Sequence, residues 1–304
     1  MTTNNSQNKP RIGFIGLGNM GNLMVERLLQ AGYPMTVYDR TKEKTQDAVH
    51  QGAKVSDHPR DLSTTCDVIM SMVSDNHALE AIMHGPDGAL AGTRPGTIFI
   101  DLSTVSPEES RHISAAVKEK NASMIDAAVS GSTPQLKEGN LVIFVGGEQA
   151  IYEHCKPILE HLGKSIFYMG ESGKGTTMKM VVNTLLGLGM QAVAEALALG
   201  EKAGLDKQQL IDVLGQTTAI APAHKAKLAN VKNEEYPVTF ALSMMRKDFS
   251  LILRMAAELS VPMPATAAAE QMYTAALAQG HNEDYSVMLQ FMEQLSALPI
   301  SKQN

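Results

Sequence analysis

Strand and helix patterns alternate along the chain up to about Gly170, and the strand pattern then almost disappears. The early apolar runs, such as "RIGFIGLG" and "PMTVYDR", are short and end in glycines or polar residues, with amphipathic segments between them. Strands that alternate with helices predict a doubly wound parallel sheet with helices on both faces. The later segments are helical. We therefore predict an α/β fold in which a sheet domain is followed by an all-α domain.

The length of 304 residues fits two domains, because each half is long enough to bury its own core. We predict a disordered polar tail over residues 1–10, a sheet domain over residues 11–170 and an all-α domain over residues 171–304. A long helix from about Lys174 to Ala203 is expected to join the domains. Polar residues interrupt its apolar run, whereas a spanning helix needs about 20 apolar residues. We therefore expect a buried helix and no membrane span.

Several predicted helices begin or end at recognisable capping residues. Ser106 is the predicted N-cap of a helix that starts at Pro107, with Glu109 as its partner in a capping box. Asp206 is the predicted N-cap of "DKQQLIDVLGQT", and Gly32 follows the end of the first helix. Three more helices are predicted in "FALSMMRKDFSLILRMAAEL", "ATAAAEQMYTAALAQG" and "DYSVMLQFMEQLS".

Charge and cysteine content exclude several classes of protein. The net charge is −6 at pH 7 and the isoelectric point is about 5.9, which argues against a nucleic-acid-binding face. Cys66 and Cys155 are far apart and predict neither a disulfide framework nor a zinc site, so no metal site is expected. The polar N-terminal segment has no apolar core of a secretory signal. We expect a cytoplasmic protein.

The segment "IGFIGLGNMGNLM" carries the pattern G-x-G-x-x-G as Gly16, Gly18 and Gly21, between an apolar strand and an amphipathic helix. The first glycine permits a tight turn, the second lets backbone approach a pyrophosphate, and the third lets the helix pack closely on the strand. Asn19 and Met20 open the helix, whose unpaired N–H groups attract an anion. The pattern predicts a Rossmann domain that binds a dinucleotide.

The residues after the second strand bear on which dinucleotide is bound. Asp39 ends this strand and can accept hydrogen bonds from a ribose, which favours NAD. Arg40 can hold a 2′-phosphate, which favours NADP, and Thr41 adjoins it. Both residues are present, so the sequence does not decide between the cofactors. We expect NAD(P), with a slight preference for NADPH.

Four sequence blocks together resemble the β-hydroxyacid dehydrogenase family. They are "GFIGLGNMG", "DLSTVSP", "DAAVSGSTPQLKEGNLVIFVGG" and "GKGTTMKMVVN", and the resemblance runs from about Arg11 to about Met292. It implies an NAD(P)-dependent oxidoreductase that interconverts a small β-hydroxyacid, or an ω-hydroxyacid, and its semialdehyde. It also implies a carboxylate-bearing substrate and a homodimer or homotetramer, and we expect neither nucleic-acid nor membrane partners.

The resemblance further implies roles for individual residues. In addition to the glycine loop and residues 39–41, the implied cofactor contacts are Val73, Ser74, Thr104 and Lys247. The implied substrate contacts are Ser130, Gly131, Ser132, Phe240 and Asp248. On the residues alone, Thr104 could also be a turn residue before the Ser106 cap, and Phe240 could be ordinary core.

Lys179 and Asn183 match the family's catalytic lysine and asparagine, and four residues of spacing put them on one helix face. Burial disfavours the charged form of a lysine, and a proton donor works best with a pKa near the working pH. Lys179 is therefore the predicted general acid and base, and Asn183 is predicted to hydrogen-bond the substrate.

Three departures from the family pattern indicate which branch of the family the chain resembles most. Ala128 stands where many members have proline, Ser132 replaces a glycine, and Val182 replaces the first of two adjacent asparagines. These changes favour the glyoxylate/succinic semialdehyde reductase branch. An imine reductase of the same fold would normally lack Lys179, and a non-catalytic NADP-binding regulator should have lost either Lys179 or the "VSGS" segment. Absorbance at the reduced-nicotinamide band, followed with a panel of small semialdehydes, discriminates the predicted enzyme from these two alternatives.

Overall fold

The computed structural model describes residues 9–297, so residues 1–8 of the predicted tail lie outside the described part of the chain. The strands are β1 Ile12–Ile15, β2 Met35–Tyr38, β3 Lys54–Val55, β4 Val68–Ser71, β5 Ile98–Asp101, β6 Ser123–Ser130, β7 Leu141–Gly147 and β8 Gly163–Gly170. The helices of the first part are α1 Asn19–Gln30, α2 Gln46–His50, α3 Pro59–Thr65, α4 Asn76–Met83, α5 Ala89–Gly92, α6 Pro107–Glu119, α7 Thr133–Lys137 and α8 Gln149–Leu159. The remaining helices are α9 Lys174–Lys202, α10 Lys207–Gln216, α11 Pro222–Asn233, α12 Leu242–Glu258, α13 Pro264–Ala278 and α14 Met288–Leu295.

The eight strands form one sheet in the order β3-β2-β1-β4-β5-β6-β7-β8. Neighbouring residues of the central strands alternate between two apolar clusters. Phe14 and Met70 belong to one cluster, and Ile69 and Phe99 belong to the other. Because successive side chains of a strand point to opposite faces, both faces of the sheet are covered, as a doubly wound fold requires.

The predicted doubly wound, mostly parallel sheet is confirmed, and one pair of strands departs from the parallel arrangement. β7 runs antiparallel to β6, with Ile125 opposite Gly147 and Ser130 opposite Val142. A parallel connection needs a crossover of a dozen or more residues, and residues 131–140 with the short helix α7 do not supply one. β8 is parallel to β7, so the last two strands run opposite to the other six.

The chain divides into two compact units, Met1–Lys179 and Met180–Asn304. The second unit packs around buried aromatic residues that include Phe249, Tyr273 and Phe291. Within residues 9–297, α9 is the one helix that is long and apolar enough to cross a membrane by length and composition. Its residues from Met180 onward include several that fill the core of the second unit, which is sufficient reason for its apolar character.

Two of the predicted helix caps form as expected, and one capping box does not. Ser106 Oγ accepts from Glu109 N at 3.1 Å, and Asp206 accepts from Gln209 N at 2.8 Å. The backbone N–H of Ser106, however, donates to Asn76 Oδ1 at 2.9 Å and not to the Glu109 side chain. The prediction of a capping box at Glu109 was therefore wrong, because a residue of α4 takes the position.

Both cysteines lie buried in the first unit as free thiols. Burial raises the pKa of Cys66, and burial raises the pKa of Cys155 to about 12. The sequence-based expectation of two unpaired cysteines is confirmed.

Candidate active site

The glycine loop joins β1 to α1. Gly16 has a φ of +98°, which L side chains rarely adopt, and a Cβ on Gly21 would lie 1.9 Å from the carbonyl oxygen of Gly16. These two glycines are therefore required by the loop itself. A Cβ on Gly18 would meet nothing within 4 Å. Asn19 and Met20 follow in the first turn of α1, whose N-terminal N–H groups favour an anion.

Asp39 fixes the position of this loop. Its Oδ2 accepts from Leu17 N at 2.7 Å, and its Oδ1 accepts from Thr41 N at 2.8 Å. Both oxygens therefore already bind backbone of the protein. The side chain of Arg40 is exposed, and within residues 9–297 it forms no salt bridge. The segment after β2 thus offers the exposed cation of Arg40 next to Asp39, whose carboxylate already accepts two backbone hydrogen bonds.

A second set of contacts orders the loops that follow β4 and β5. Asp101 is buried at the end of β5 and accepts from Ser71 Oγ and from Ser103 Oγ, both at 2.7 Å. Ser103 Oγ in turn accepts from Val73 N at 2.9 Å. Burial raises the pKa of Asp101 to about 6, although the hydrogen bonds from both serines lower it. Asp101 therefore links the segment of Val73 and Ser74 to the segment of Thr104.

The third loop of the first unit follows β6. Gly131 has a φ of +124°, which explains the glycine in "VSGS". Ser132 is the N-cap residue of α7, and its backbone N–H and its hydroxyl both donate to Gln135 Oε1, at 3.0 and 2.9 Å. Ser130 is half-buried at the end of β6. Of the two serines, Ser132 has a structural partner for its side chain.

Asp126, in the middle of β6, holds the beginning of α9. Its carboxylate accepts from Gly173 N at 2.7 Å, from Thr176 N at 2.8 Å and from Thr176 Oγ1 at 2.9 Å. These bonds satisfy N–H groups that have no partner inside a helix. Lys179 follows Thr176 by three residues on the same helix and is buried, with 9% of its surface exposed. The sheet therefore fixes the part of α9 that carries Lys179.

The second unit holds a buried polar pair of its own. Asn183 is completely buried, and its Nδ2 donates to Asp248 Oδ2 at 2.5 Å. Lys247 Nζ lies 3.0 Å from Asp248 Oδ1. Asn183 Oδ1 is buried and has no hydrogen-bond partner among the described residues. Asp248 therefore orients the amide so that its oxygen remains an acceptor for another group.

Phe240, the other predicted contact in this unit, packs edge-on against Tyr285 with ring centroids 5.9 Å apart. It is half-buried, and its backbone N–H donates to Asp284 at 3.1 Å. The structure thus gives this aromatic residue a packing partner of its own.

Sequence reasoning missed Asp101 and Asp126, although both organise predicted site residues. Each is an aspartate at the end of, or inside, an apolar strand, in "IFIDLS" and "MIDAAVS". A buried carboxylate needs hydrogen-bond donors, so this pattern was a usable signal. Helix α11 was also missed, because its apolar residues form only a weak pattern.

Two family models cover most of the chain. The model for the NAD binding domain of 6-phosphogluconate dehydrogenase matches residues 11–170, and that for the NAD-binding region of NADP-dependent 3-hydroxyisobutyrate dehydrogenase matches residues 173–292. The chain belongs to the β-hydroxyacid dehydrogenase family. The family predicted from the four sequence blocks is confirmed, and this β-hydroxyacid dehydrogenase is an NAD(P)-dependent enzyme of the 3-hydroxyacid class.

Two relatives and one solved structure illustrate the similarity. The chain is 36% identical over 283 residues to glyoxylate/succinic semialdehyde reductase 2, chloroplastic, of Arabidopsis thaliana, covering 93% of this chain and 79% of the relative. It is 33% identical over 293 residues to 2-(hydroxymethyl)glutarate dehydrogenase of Eubacterium barkeri, covering 96% and 97%. The structure of 3-hydroxyisobutyrate dehydrogenase of Mycobacterium tuberculosis with L-serine has a TM-score of 0.84 at 28% identity, covering 93% and 98%.

Proposed function

We propose that this enzyme interconverts a small β-hydroxyacid, or an ω-hydroxyacid, and its semialdehyde with NADPH as the favoured cofactor and Lys179 as general acid and base. The observation that carries the proposal is the buried pair Lys179 and Asn183 on one face of α9, with Asn183 oriented by Asp248. A buried lysine suits a proton donor, and an oriented amide oxygen suits a substrate hydroxyl.

The residues of the glycine loop fit a dinucleotide. Gly18 leaves open space where a side chain would stand, and the first turn of α1 can bind the pyrophosphate. Arg40 would hold a 2′-phosphate, and the engagement of both Asp39 oxygens by backbone N–H groups is our reason for favouring NADPH. Val73, Ser74, Thr104 and Lys247 are proposed as further contacts. When bound, the nicotinamide supplies or accepts the hydride.

The chain's own residues move the proton and hold the substrate. In reduction, Lys179 protonates the substrate oxygen as negative charge develops on it, and in oxidation Lys179 takes the proton from the hydroxyl. Asn183 Oδ1 would accept from the hydroxyl of the bound hydroxyacid and would make no hydrogen bond to the aldehyde oxygen, which has no hydrogen, while its Nδ2 stays on Asp248. The turn at Ser130 and Gly131 would bind the carboxylate through backbone N–H groups and the Ser130 hydroxyl. Phe240 would border the substrate.

The test replaces Lys179 and compares it with a matched lysine on the same helix. Lys179→Met keeps an unbranched apolar stem but removes the proton, so we expect kcat to fall by about 10²–10⁴-fold while NADPH binding is retained. Lys174→Met, at an exposed position in the first turn of α9, should leave kcat nearly unchanged. Steady-state rates with glyoxylate and with succinic, tartronate and methylmalonate semialdehydes identify the substrate. A Lys179→Met enzyme that binds NADPH and keeps more than about a tenth of native kcat would contradict the proposal.

Cofactor preference is tested separately. Arg40→Ala should weaken NADPH binding by about 1.5–3 kcal/mol, the range for a hydrogen bond to a charged group, and should barely change NADH binding. Titration of both reduced cofactors measures the difference. Equal effects on the two would show that Arg40 does not bind the 2′-phosphate.

We also propose a cytoplasmic homodimer or homotetramer. Leu185 and Leu199 of α9 are 70% and 73% exposed, and association would bury such side chains. Light scattering of the purified protein measures the mass, and a monomer would contradict this part of the proposal.

A further inference from the structure

Polar residues of helices α4 and α6 are neighbours at the start of the two helices and again further along them. At their first turns, Asn76 Nδ2 donates to Ser106 Oγ at 2.9 Å, and Ser106 N donates to Asn76 Oδ1 at 2.9 Å. The two helices follow β4 and β5, which are parallel neighbours in the sheet. The helix starts are therefore fixed side by side, and residues one and two turns further along each helix are brought near one another.

The side chains one and two turns beyond Asn76 and Ser106 are of types that bind metal ions. Glu80 lies in the last turn of α4 and His84 directly follows that helix, whereas Glu109 and His112 lie three residues apart on α6. One ligand atom each of Glu80, His84 and His112 lies within 4.8 Å of the other two. His84 Nε2 is 3.6 Å from Glu80 Oε2, and the rings of His84 and His112 stack with centroids 5.9 Å apart.

Two atoms of this group are buried without a hydrogen bond. His84 Nε2 and Glu109 Oε1 have no hydrogen-bond partner among residues 9–297. The carboxylate of Glu109 is available because Asn76, and not Glu109, binds the backbone N–H at the start of α6. Burial raises the pKa of Glu109, and the charge of nearby Glu80 raises it further. A bound cation would relieve this crowding of carboxylates and satisfy both buried atoms.

We propose that Glu80, His84, Glu109 and His112 bind a divalent transition-metal ion, of which Zn²⁺ is the probe of choice. Two imidazoles with carboxylates form a nitrogen and oxygen ligand set that suits zinc and its neighbours and not Mg²⁺. Zinc–ligand distances of about 2.0–2.2 Å in a tetrahedron place ligand atoms about 3.4 Å apart. Glu80 Oε2 and His84 Nε2, 3.6 Å apart, are close to this separation, and a side-chain rotation of the exposed His112 would bring in its nitrogen.

The ion would link α4 to α6 and would take no part in hydride or proton transfer. Both helices begin directly after the loops of Val73 and Thr104, so the link would stiffen the part of the first unit that holds those loops. We expect the ion to raise the unfolding temperature of the enzyme and to leave kcat nearly unchanged.

The experiment titrates Zn²⁺ into the full-length chain without a histidine tag, by calorimetry and by thermal unfolding. We expect one ion per chain with micromolar or tighter affinity, a higher unfolding temperature, and no response to Mg²⁺. His112→Gln and Glu109→Gln should each weaken Zn²⁺ binding at least about ten-fold, a loss seen even for residues that only support a ligand. His77→Gln removes an exposed histidine of the same helix α4 and should leave the affinity unchanged.

NADPH titration of each variant confirms that its fold is intact. Absence of stoichiometric Zn²⁺ binding would overturn the proposal. So would binding that survives His112→Gln and Glu109→Gln, or binding that His77→Gln weakens to the same degree.

Discussion

The two units of the chain bring buried polar residues together in different ways. In the first unit, Ser71 and Asp101 are register partners on the adjacent parallel strands β4 and β5. In the second unit, Asp284 binds Lys227 and Thr239, which are 57 and 45 residues away in the chain. A sheet has a fixed register, whereas packed helices have several allowed angles and offsets. Polar neighbours therefore follow from the order of strands in the first unit and have no comparable rule in the second.

Asp284 shows how concentrated the second unit's polar contacts are. It is completely buried, and Lys227 Nζ lies 2.7 Å from its Oδ2. The same oxygen accepts from Thr239 N and Phe240 N, both at 3.1 Å, and its Oδ1 accepts from Ser286 Oγ at 2.8 Å. Burial alone would raise the pKa of Asp284, but Lys227 and the hydrogen bonds lower it overall.

The largest predicted effect tests whether this cluster supports the second unit as we infer. Asp284→Ala leaves the largely buried Lys227 without its counterion, and removal of one partner of a buried pair costs about 3–5 kcal/mol. Urea unfolding measures the change. Because the pKa of Asp284 is lowered in the folded state, its contribution is present at neutral pH and is lost as the pH falls through that lowered pKa.

The matched control is Lys232→Met, which removes an exposed ion pair with Asp212 in the same unit. We expect this change to alter the free energy of unfolding by less than about 0.5 kcal/mol. If Asp284→Ala cost no more than Lys232→Met, the concentration of contacts on Asp284 would have no energetic meaning, and the contrast between the units would be weakened.

The next prediction separates fold from cofactor binding inside the first unit. Gly21→Ala places a Cβ against the carbonyl of Gly16, so it should cost about 1–3 kcal/mol of stability and also weaken NADPH binding. Gly18→Ala meets no protein atom within 4 Å, so it should weaken NADPH binding with little change in stability. Thermal unfolding without cofactor, together with NADPH titration, distinguishes the two. Equal destabilisation by both substitutions would show that Gly18 is needed by the loop and not by the ligand.

The smallest predicted effect concerns pH and the second unit. Burial, followed by the charge of Glu293, raises the pKa of Glu201 to about 7. The folded state therefore binds a proton that the unfolded state has already released, so this contribution is full below the ordinary glutamate pKa of 4.5 and is lost as the pH rises through about 7. Since Glu201 is only half-buried, we expect no more than about 1 kcal/mol after solvent screening.

Glu201→Gln should remove this part of the pH dependence. Chemical unfolding of the native and variant proteins at pH 5 and pH 8, values chosen on either side of the raised pKa, provides the comparison. A variant that gains no stability relative to the native protein at the higher pH would contradict the assignment to Glu201.

Much of the first unit could be predicted from sequence because its signals are local. The glycine loop, the Ser106 cap and the start of α9 at Lys174 each depend on residues a few positions apart. The reversal of β7 was missed, since apolar strands of either direction have the same composition and only the short connection distinguishes them. The capping role of Asn76 was missed because its partner is 30 residues away.

The candidate site likewise has features that the sequence predicts and contacts between distant residues that it does not. The family resemblance predicted Lys179, Asn183 and Asp248 as site residues. It did not predict the hydrogen bond from Asn183 to Asp248, which joins residues 65 apart. No local pattern predicts that bond, since it depends on how α9 and α12 pack. The group at Glu80, His84, Glu109 and His112 was overlooked for the same reason, because its two pairs look like ordinary helix-surface residues until the helices are placed together.

The buried thiols have a practical consequence for anyone who wishes to attach a probe to this enzyme. The thiolate is the nucleophile in alkylation, and Cys66 and Cys155 are both buried with raised pKa values. Maleimide reagents should therefore leave the two native cysteines unmodified in the folded protein. A single cysteine placed at an exposed position would be labelled selectively, so fluorescence studies of cofactor binding can begin from the natural sequence without first removing any residue.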